Sequence, residues 1–137
     1  MLFNFIAQTA RFSLPVLAIA MLTACTKEVE CNDRDTKELA VNLIQSYLEK
    51  AQWYNEARER NIITGDAKIE DIKTLSVSDD KKNAVCEANY TFTFRKKDRS
   101  IDFNYGLTYL EDSGDIEVEV DANRIKANIL GLFISGQ

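Results

Sequence analysis

Apolar residues follow helical spacing between Asp35 and Arg60. They recur at i, i+3, i+4 and i+7 and so share one face of a helix; this stripe consists of Ala40, Leu43, Ile44, Tyr47, Leu48, Ala51 and Tyr54. Asp35, with Glu38 three residues later, fits a capping box at the start. The pattern predicts one long amphipathic helix. Trp53 lies at the edge of the stripe, and its position allows two interpretations, packing in the core or contact with a ligand.

Beyond Gly65 the period of the apolar residues changes to two, which is typical of half-buried strands. The alternation covers 67–77, 85–95, 101–109 and 116–120, and polar turns separate these stretches at 78–83, 96–99 and 111–115. Ile72 falls out of phase with Ile69, Leu75 and Val77, which indicates a β-bulge in the first strand. Helical spacing returns at 122–132 and predicts a short last helix.

These elements predict an α+β domain over residues 35–137, in which one long N-terminal helix packs on a four-stranded antiparallel meander. Their order resembles that of cystatin-like and NTF2-like small domains, which implies a fold and no function. A looser similarity to small exported bacterial proteins of unassigned role rests on a Cys ahead of the helix and two strand motifs. These motifs are Ile69-Glu70-Asp71-Ile72-Lys73-Thr74 and Cys86-Glu87-Ala88.

The first 24 residues have the pattern of an export signal. Arg11 precedes an apolar run over 12–24, which is shorter than the roughly 20 residues that span a bilayer. The run ends in Leu22-Thr23-Ala24-Cys25, which resembles the lipobox of bacterial lipoproteins. That resemblance implies cleavage before Cys25 and a diacylglycerol on its sulfur. Ordinary secretion and an uncleaved membrane anchor are the alternatives.

The same resemblance implies a location. An Asp directly after the lipidated Cys favours the inner membrane in that family, whereas Thr26 stands here. We therefore expect a lipid anchor in the outer membrane, with the protein facing the periplasm. Residues 25–34 would form a short lipidated tether. Cleavage leaves 113 of the 137 residues, and 16 basic against 22 acidic residues give a net charge of −6.

Two cysteines besides Cys25 remain in the chain. An exported protein meets an oxidising compartment, so we predict a Cys31–Cys86 disulfide, with two free buried thiols as the alternative. In the chain-entropy model a bridge across this separation stabilises the fold by about 4 kcal/mol. It would leave only 26–30 as free tether, which is about 18 Å of extended chain at most.

Composition excludes several kinds of chemistry. The chain has no His, which removes imidazole catalysis and His-ligated metals. The net charge of −5 for the whole chain argues against nucleic acid as a partner. The acidic pairs Asp79-Asp80 and Glu111-Asp112 fall in predicted turns, as does Asp115. We therefore predict no catalytic residue, no metal site and no cofactor.

Two clusters remain as candidate contact sites. Arg95, Lys96, Lys97 and Arg99 form a basic turn that would contact anionic lipid headgroups, or would simply be solvated. An aromatic row would line a ligand cavity under the helix or fill the core; it consists of Tyr90, Phe92, Phe94, Phe103, Tyr105 and Tyr109.

We expect a non-enzymatic protein-interaction module in the bacterial envelope, which binds an envelope protein in assembly or secretion machinery, or in exclusion or immunity. The alternative is a small-molecule or lipid carrier. A deep apolar pocket would favour the carrier and a filled core the interaction module.

Overall fold

The computed structural model describes residues 28–135. Two helices precede four strands, and a third helix follows them. The bounds are α1 Arg34–Leu48, α2 Gln52–Glu59, β1 Ile63–Val77, β2 Asn83–Phe94, β3 Lys97–Leu110, β4 Asp115–Val120 and α3 Ala122–Ser135. The strands form one antiparallel sheet in the order β1-β2-β3-β4, so each pairs with its neighbours in the chain. The α+β class and the four-stranded meander are confirmed.

The prediction of one long helix over 35–60 is wrong, because the chain leaves the helical conformation after Leu48. Ala51 is extended, with φ −97° and ψ 124°, and the amide of Asn55 caps the freed carbonyl of Glu49 at 2.8 Å. Leu48 and Tyr54 are six positions apart, which would put them at opposite edges of the stripe, about 120° apart around a continuous helix. The break turns Tyr54 back towards the core, where both side chains are buried.

The start of α1 also differs from the capping box predicted at Asp35. Asp33 is the N-cap residue, and its carboxylate accepts hydrogen bonds from the backbone N–H of Thr36 at 3.1 Å and from the Thr36 hydroxyl at 3.3 Å. Asp35 lies within the first turn, where a negative charge is still favourable. The helix therefore begins at Arg34, one residue earlier than predicted.

The first strand contains the predicted bulge. Its pairing with β2 shifts between Glu70 and Lys73, and Asp71 has φ 55°. The Asn89 amide donates to the Asp71 carboxylate at 3.0 Å and holds the bulge. A second shift surrounds Gly65, at φ 74°, so this glycine lies within β1 rather than before it.

The core lies between the helices and one face of the sheet. Alternate residues of β2 all point into it and are buried, as the strict period of two predicts: Ala84, Cys86, Ala88, Tyr90, Phe92 and Phe94. Ile44 and Leu48 of α1 and Ile125 and Ile129 of α3 cover them. Trp53 packs edge-on against Phe133, with ring centroids 5.8 Å apart, and so belongs to the helical layer. The opposite face of the sheet carries exposed and half-buried residues.

Candidate functional site

The chain enters the folded region at the end of the sheet where β1 turns into β2. The backbone N–H of Val29 donates to the Lys81 carbonyl at 3.1 Å. Cys31 forms a disulfide with Cys86, with their Cα atoms 5.7 Å apart, which confirms the predicted bridge. Val29 is buried, so the predicted tether over 25–34 overlaps the folded region from this residue onward. We call this end of the sheet, around 29–31 and 75–86, the rooted end.

Tyr105 adds a third attachment at the rooted end. Its hydroxyl donates to the carbonyl of Cys31 at 2.7 Å inside the core. Burial raises the pKa of Tyr105 to about 12 and also raises the pKa of Tyr54 and Tyr90, because a phenolate would lose its hydration. These phenols stay protonated at neutral pH, which suits structural donors rather than catalytic bases.

Cys25 lies outside the described residues. So do the predicted export signal over 1–24, which we call the leader, and the first residues of the tether. The lipidation of Cys25 stays a prediction for this reason. Within residues 28–135 no helix is long and apolar enough to cross a membrane.

The basic cluster is divided between a turn and a strand, which corrects the predicted turn at 96–99. Arg95 and Lys96 have φ 51° and 67°, and Phe94 pairs with Lys97 across them. This is the left-handed conformation of a two-residue hairpin, so the chain reverses one residue earlier than predicted. Lys97 and Arg99 therefore lie in β3, on the side of the sheet that faces the helices.

The environments of the four basic residues differ accordingly. The Arg95 guanidinium lies 5.0 Å from the centre of the Phe94 ring, and Lys96 is exposed at the tip. Arg99 pairs with Phe92 in register, and its Nε atom is buried with no hydrogen-bond partner among the described residues. The cluster therefore consists of two residues at the tip of a hairpin and two in the strand that follows, rather than four residues of one cationic loop.

The basic hairpin and the rooted end lie at opposite ends of β2. This strand has 12 residues, and at about 3.3 Å per residue its ends are roughly 36 Å apart. Val29 contacts the chain next to the start of β2, whereas Arg95 follows its last residue. A basic contact site at 95–99 is therefore far from Val29, where the described chain joins the sheet.

The acidic pairs lie in turns, as expected, and two of their members stabilise the chain there. Asp80 accepts hydrogen bonds from the Ser78 hydroxyl at 2.7 Å and from the Lys82 backbone at 3.1 Å, and these bonds lower its pKa. Glu111 pairs with the Lys82 ammonium at 2.8 Å. No group of three or more potential metal ligands occurs in the part of the chain that the structure describes.

The space between helices and sheet is filled. The interior gap beside Tyr54, Arg58, Tyr90 and Ile129 leaves no room for a water molecule. Five members of the aromatic row are buried in the core, and Tyr109 is half-buried. Two larger grooves, of about 390 and 400 Å³, are open to solvent at the rooted end.

Sequence patterning misses the apolar surface at the rooted end. Leu75 and Val77 continue the apolar phase of buried Ile69, yet they are 52% and 45% exposed. Leu75 lies at a further shift in the pairing, between Thr74 and Ser76, whereas Val77 pairs with core-facing Ala84 at the end of the strand. Val85 is 42% exposed on the uncovered face of the sheet. No periodic signal in the sequence marks the exposure of Val77, because this residue keeps the phase of the core residues.

No protein-family model, curated protein or solved structure matches this chain.

Proposed function

We propose that this protein is a bacterial lipoprotein whose folded domain is a non-enzymatic interaction module in the cell envelope. Cys25 carries the acyl chains, the outer membrane holds them, and the domain faces the periplasm. The leader pattern that ends in Leu22-Thr23-Ala24-Cys25 supports the lipid anchor. The Cys31–Cys86 disulfide supports an exported, oxidising location.

The filled core is the observation that carries the choice of an interaction module. A carrier needs an enclosed apolar cavity, typically of 300 Å³ or more. The aromatic side chains that would line one, such as Phe92 and Phe103, instead pack against the helices and each other. The carrier is therefore the weaker proposal, and a protein of the envelope is the favoured partner.

The uncovered face of the sheet offers a surface for such a partner. Its β3 and β4 rows are mostly polar and acidic, including Asp102, Glu117 and Glu119. Arg124 pairs with Asp102 at 3.0 Å and neutralises one of these carboxylates. A partner in secretion or envelope assembly, or in exclusion or immunity, would bind a hydrated polar surface whose carboxylates accept hydrogen bonds.

The lipid anchor is tested by expressing the full chain in bacteria with a fatty-acid label. We expect the wild-type protein and the matched control Thr26→Ser to carry the label and fractionate with the outer membrane. Cys25→Ser should lose the label, because its hydroxyl is a poor nucleophile towards the lipid donor. Equal labelling of Cys25→Ser and wild type would contradict the proposal.

The interaction is tested in the same cells with photoreactive residues at Glu117 and at Asn128, which is exposed on α3. We expect a discrete crosslink to an envelope protein from position 117 and none from position 128. Reproducible transfer of a small ligand or lipid by the purified protein, without any protein crosslink, would favour the carrier instead.

A further inference from the structure

The distance between Cys25 and the folded region is short. Three residues separate Cys25 from Val29, and the four Cα-to-Cα steps span about 14 Å at most. A backbone hydrogen bond joins Val29 to Lys81, and a disulfide joins the nearby Cys31 to Cys86. Residues 29–31 therefore cannot detach from the sheet and lengthen the tether unless these bonds break. The rooted end therefore stays close to whatever holds Cys25.

The same end carries exposed aliphatic side chains on both sides of its hairpin, since Val77 pairs with core-facing Ala84 and Val85 lies on the uncovered face of the sheet. Val77 lines one groove together with Val29, and it lines the second groove together with Val85. Leu75 precedes Val77 in β1 and is the most exposed of these side chains. Exposed aliphatic groups that continue around a hairpin are typical of a surface that is covered in use.

Charges at this end nearly balance. Within the rooted end, Lys81 and Lys82 stand against Glu30, Asp79 and Asp80, and Lys82 is already paired with Glu111. Such a surface has no strong positive field to attract anionic headgroups. Burial of apolar groups would provide its attraction to a membrane, and this attraction depends little on salt.

We infer that the rooted end is a membrane-contact surface, with Leu75, Val77 and Val85 against the interface of the bilayer that holds acylated Cys25. This inference rests on the proposed function, because the acyl chains bring the bilayer within reach. The contact fixes the orientation of the domain, so that β2 rises from the membrane and the Arg95–Lys96 hairpin points away. The basic cluster then lies away from the lipid headgroups, which leaves it solvated or available for contacts in the periplasm.

The test measures the depth of single tryptophans. Val77→Trp and Lys96→Trp are each made in the Trp53→Phe background, extracted from bacterial membranes as full acylated protein, and reconstituted into phosphatidylcholine vesicles with brominated acyl chains. We expect severalfold stronger quenching of tryptophan at position 77 than at position 96. The difference should be unchanged by high salt or by added phosphatidylglycerol.

A second probe, Leu75→Trp, tests the same surface in case Val77→Trp does not fold. Circular dichroism checks that each variant has the secondary structure of the wild type. Equal quenching at both ends, or stronger quenching at position 96 that appears only with phosphatidylglycerol, would overturn the inference while the protein remains acylated and vesicle-bound. A mass spectrum showing unmodified Cys25 would overturn the proposed function, and the inference with it.

Discussion

At the scale of single residues, Tyr105 connects the rooted end to the core. Its ring is buried in β3, and its hydroxyl satisfies a carbonyl next to the disulfide. An unpaired buried carbonyl costs about 1–3 kcal/mol, so this one hydrogen bond holds the residues before α1 against the sheet. No periodic pattern reveals it, because the bond joins residues 74 positions apart in the sequence.

The burial of Tyr105 makes the stability of the fold decrease at alkaline pH, because burial disfavours the charged phenolate. The pKa of Tyr105 is about 12 in the folded protein, against 10.0 for a tyrosine exposed to water, so the unfolded chain releases its proton first. Stability is therefore fully present below pH 10 and falls as the pH rises towards 12. Urea unfolding at pH 8 and pH 11 measures the change.

The variant Tyr105→Phe should be less stable at pH 8 and should lose less stability between the two pH values than wild type. Tyr109→Phe is the matched control, since this ring is only half-buried in the same strand. An identical loss in wild type and Tyr105→Phe would show that Tyr105 does not carry the effect.

At the scale of elements, the sequence predicts regular stretches well and irregular ones poorly. The alternation in β2 is strict, and the strand has the faces that it predicts. The helix break at Ala51 and the bulges in β1 shift the phase of the apolar residues, and packing against the sheet decides where such shifts occur. The disulfide is predictable from composition, whereas the exposure of Val77 is not, because this residue keeps the phase of the core residues and pairs with buried Ala84.

Two glycines of the sheet, one in β1 and one in β3, should respond oppositely to the same substitution. Gly106 has a negative φ, and a Cβ there would meet only the Ala84 carbonyl at 3.9 Å, which is ordinary contact. Gly106→Ala should therefore raise the free energy of unfolding by about 0.5–1 kcal/mol. Gly65 has φ 74°, so Gly65→Ala should lower it by about 1 kcal/mol even though the space is open.

Chemical denaturation of both variants beside wild type measures these changes. Because both substitutions add one methyl group, the difference between them isolates the backbone conformation. Destabilisation of Gly106→Ala would mean that the outer face of β3 has less room than its contacts indicate.

At the scale of the whole molecule, the fold has two distinct ends. The rooted end joins the tether, the disulfide and the apolar grooves, and the far end carries Arg95 and Lys96 on a short hairpin. A strand of about 36 Å separates them. With Cys25 acylated as proposed, a tether this short next to a disulfide would make the lipid anchor an oriented attachment, since the described chain leaves the sheet at one defined end.

The length of the tether should therefore affect the position of the rooted end at the bilayer as much as acylation does. Twelve Gly and Ser residues inserted between Lys27 and Glu28 add a root-mean-square span of about 20 Å. The rooted end is then free to leave the bilayer, so quenching of tryptophan at position 77 by brominated lipids should fall towards the value at position 96. Fatty-acid labelling should not change, because Cys25 and its leader are intact.

The same insertion between Arg95 and Lys96 is the control, and it should leave quenching at position 77 as it was. If quenching is unaffected by the longer tether, the apolar surface holds the domain on the membrane without help from the short connection, and the orientation does not depend on it.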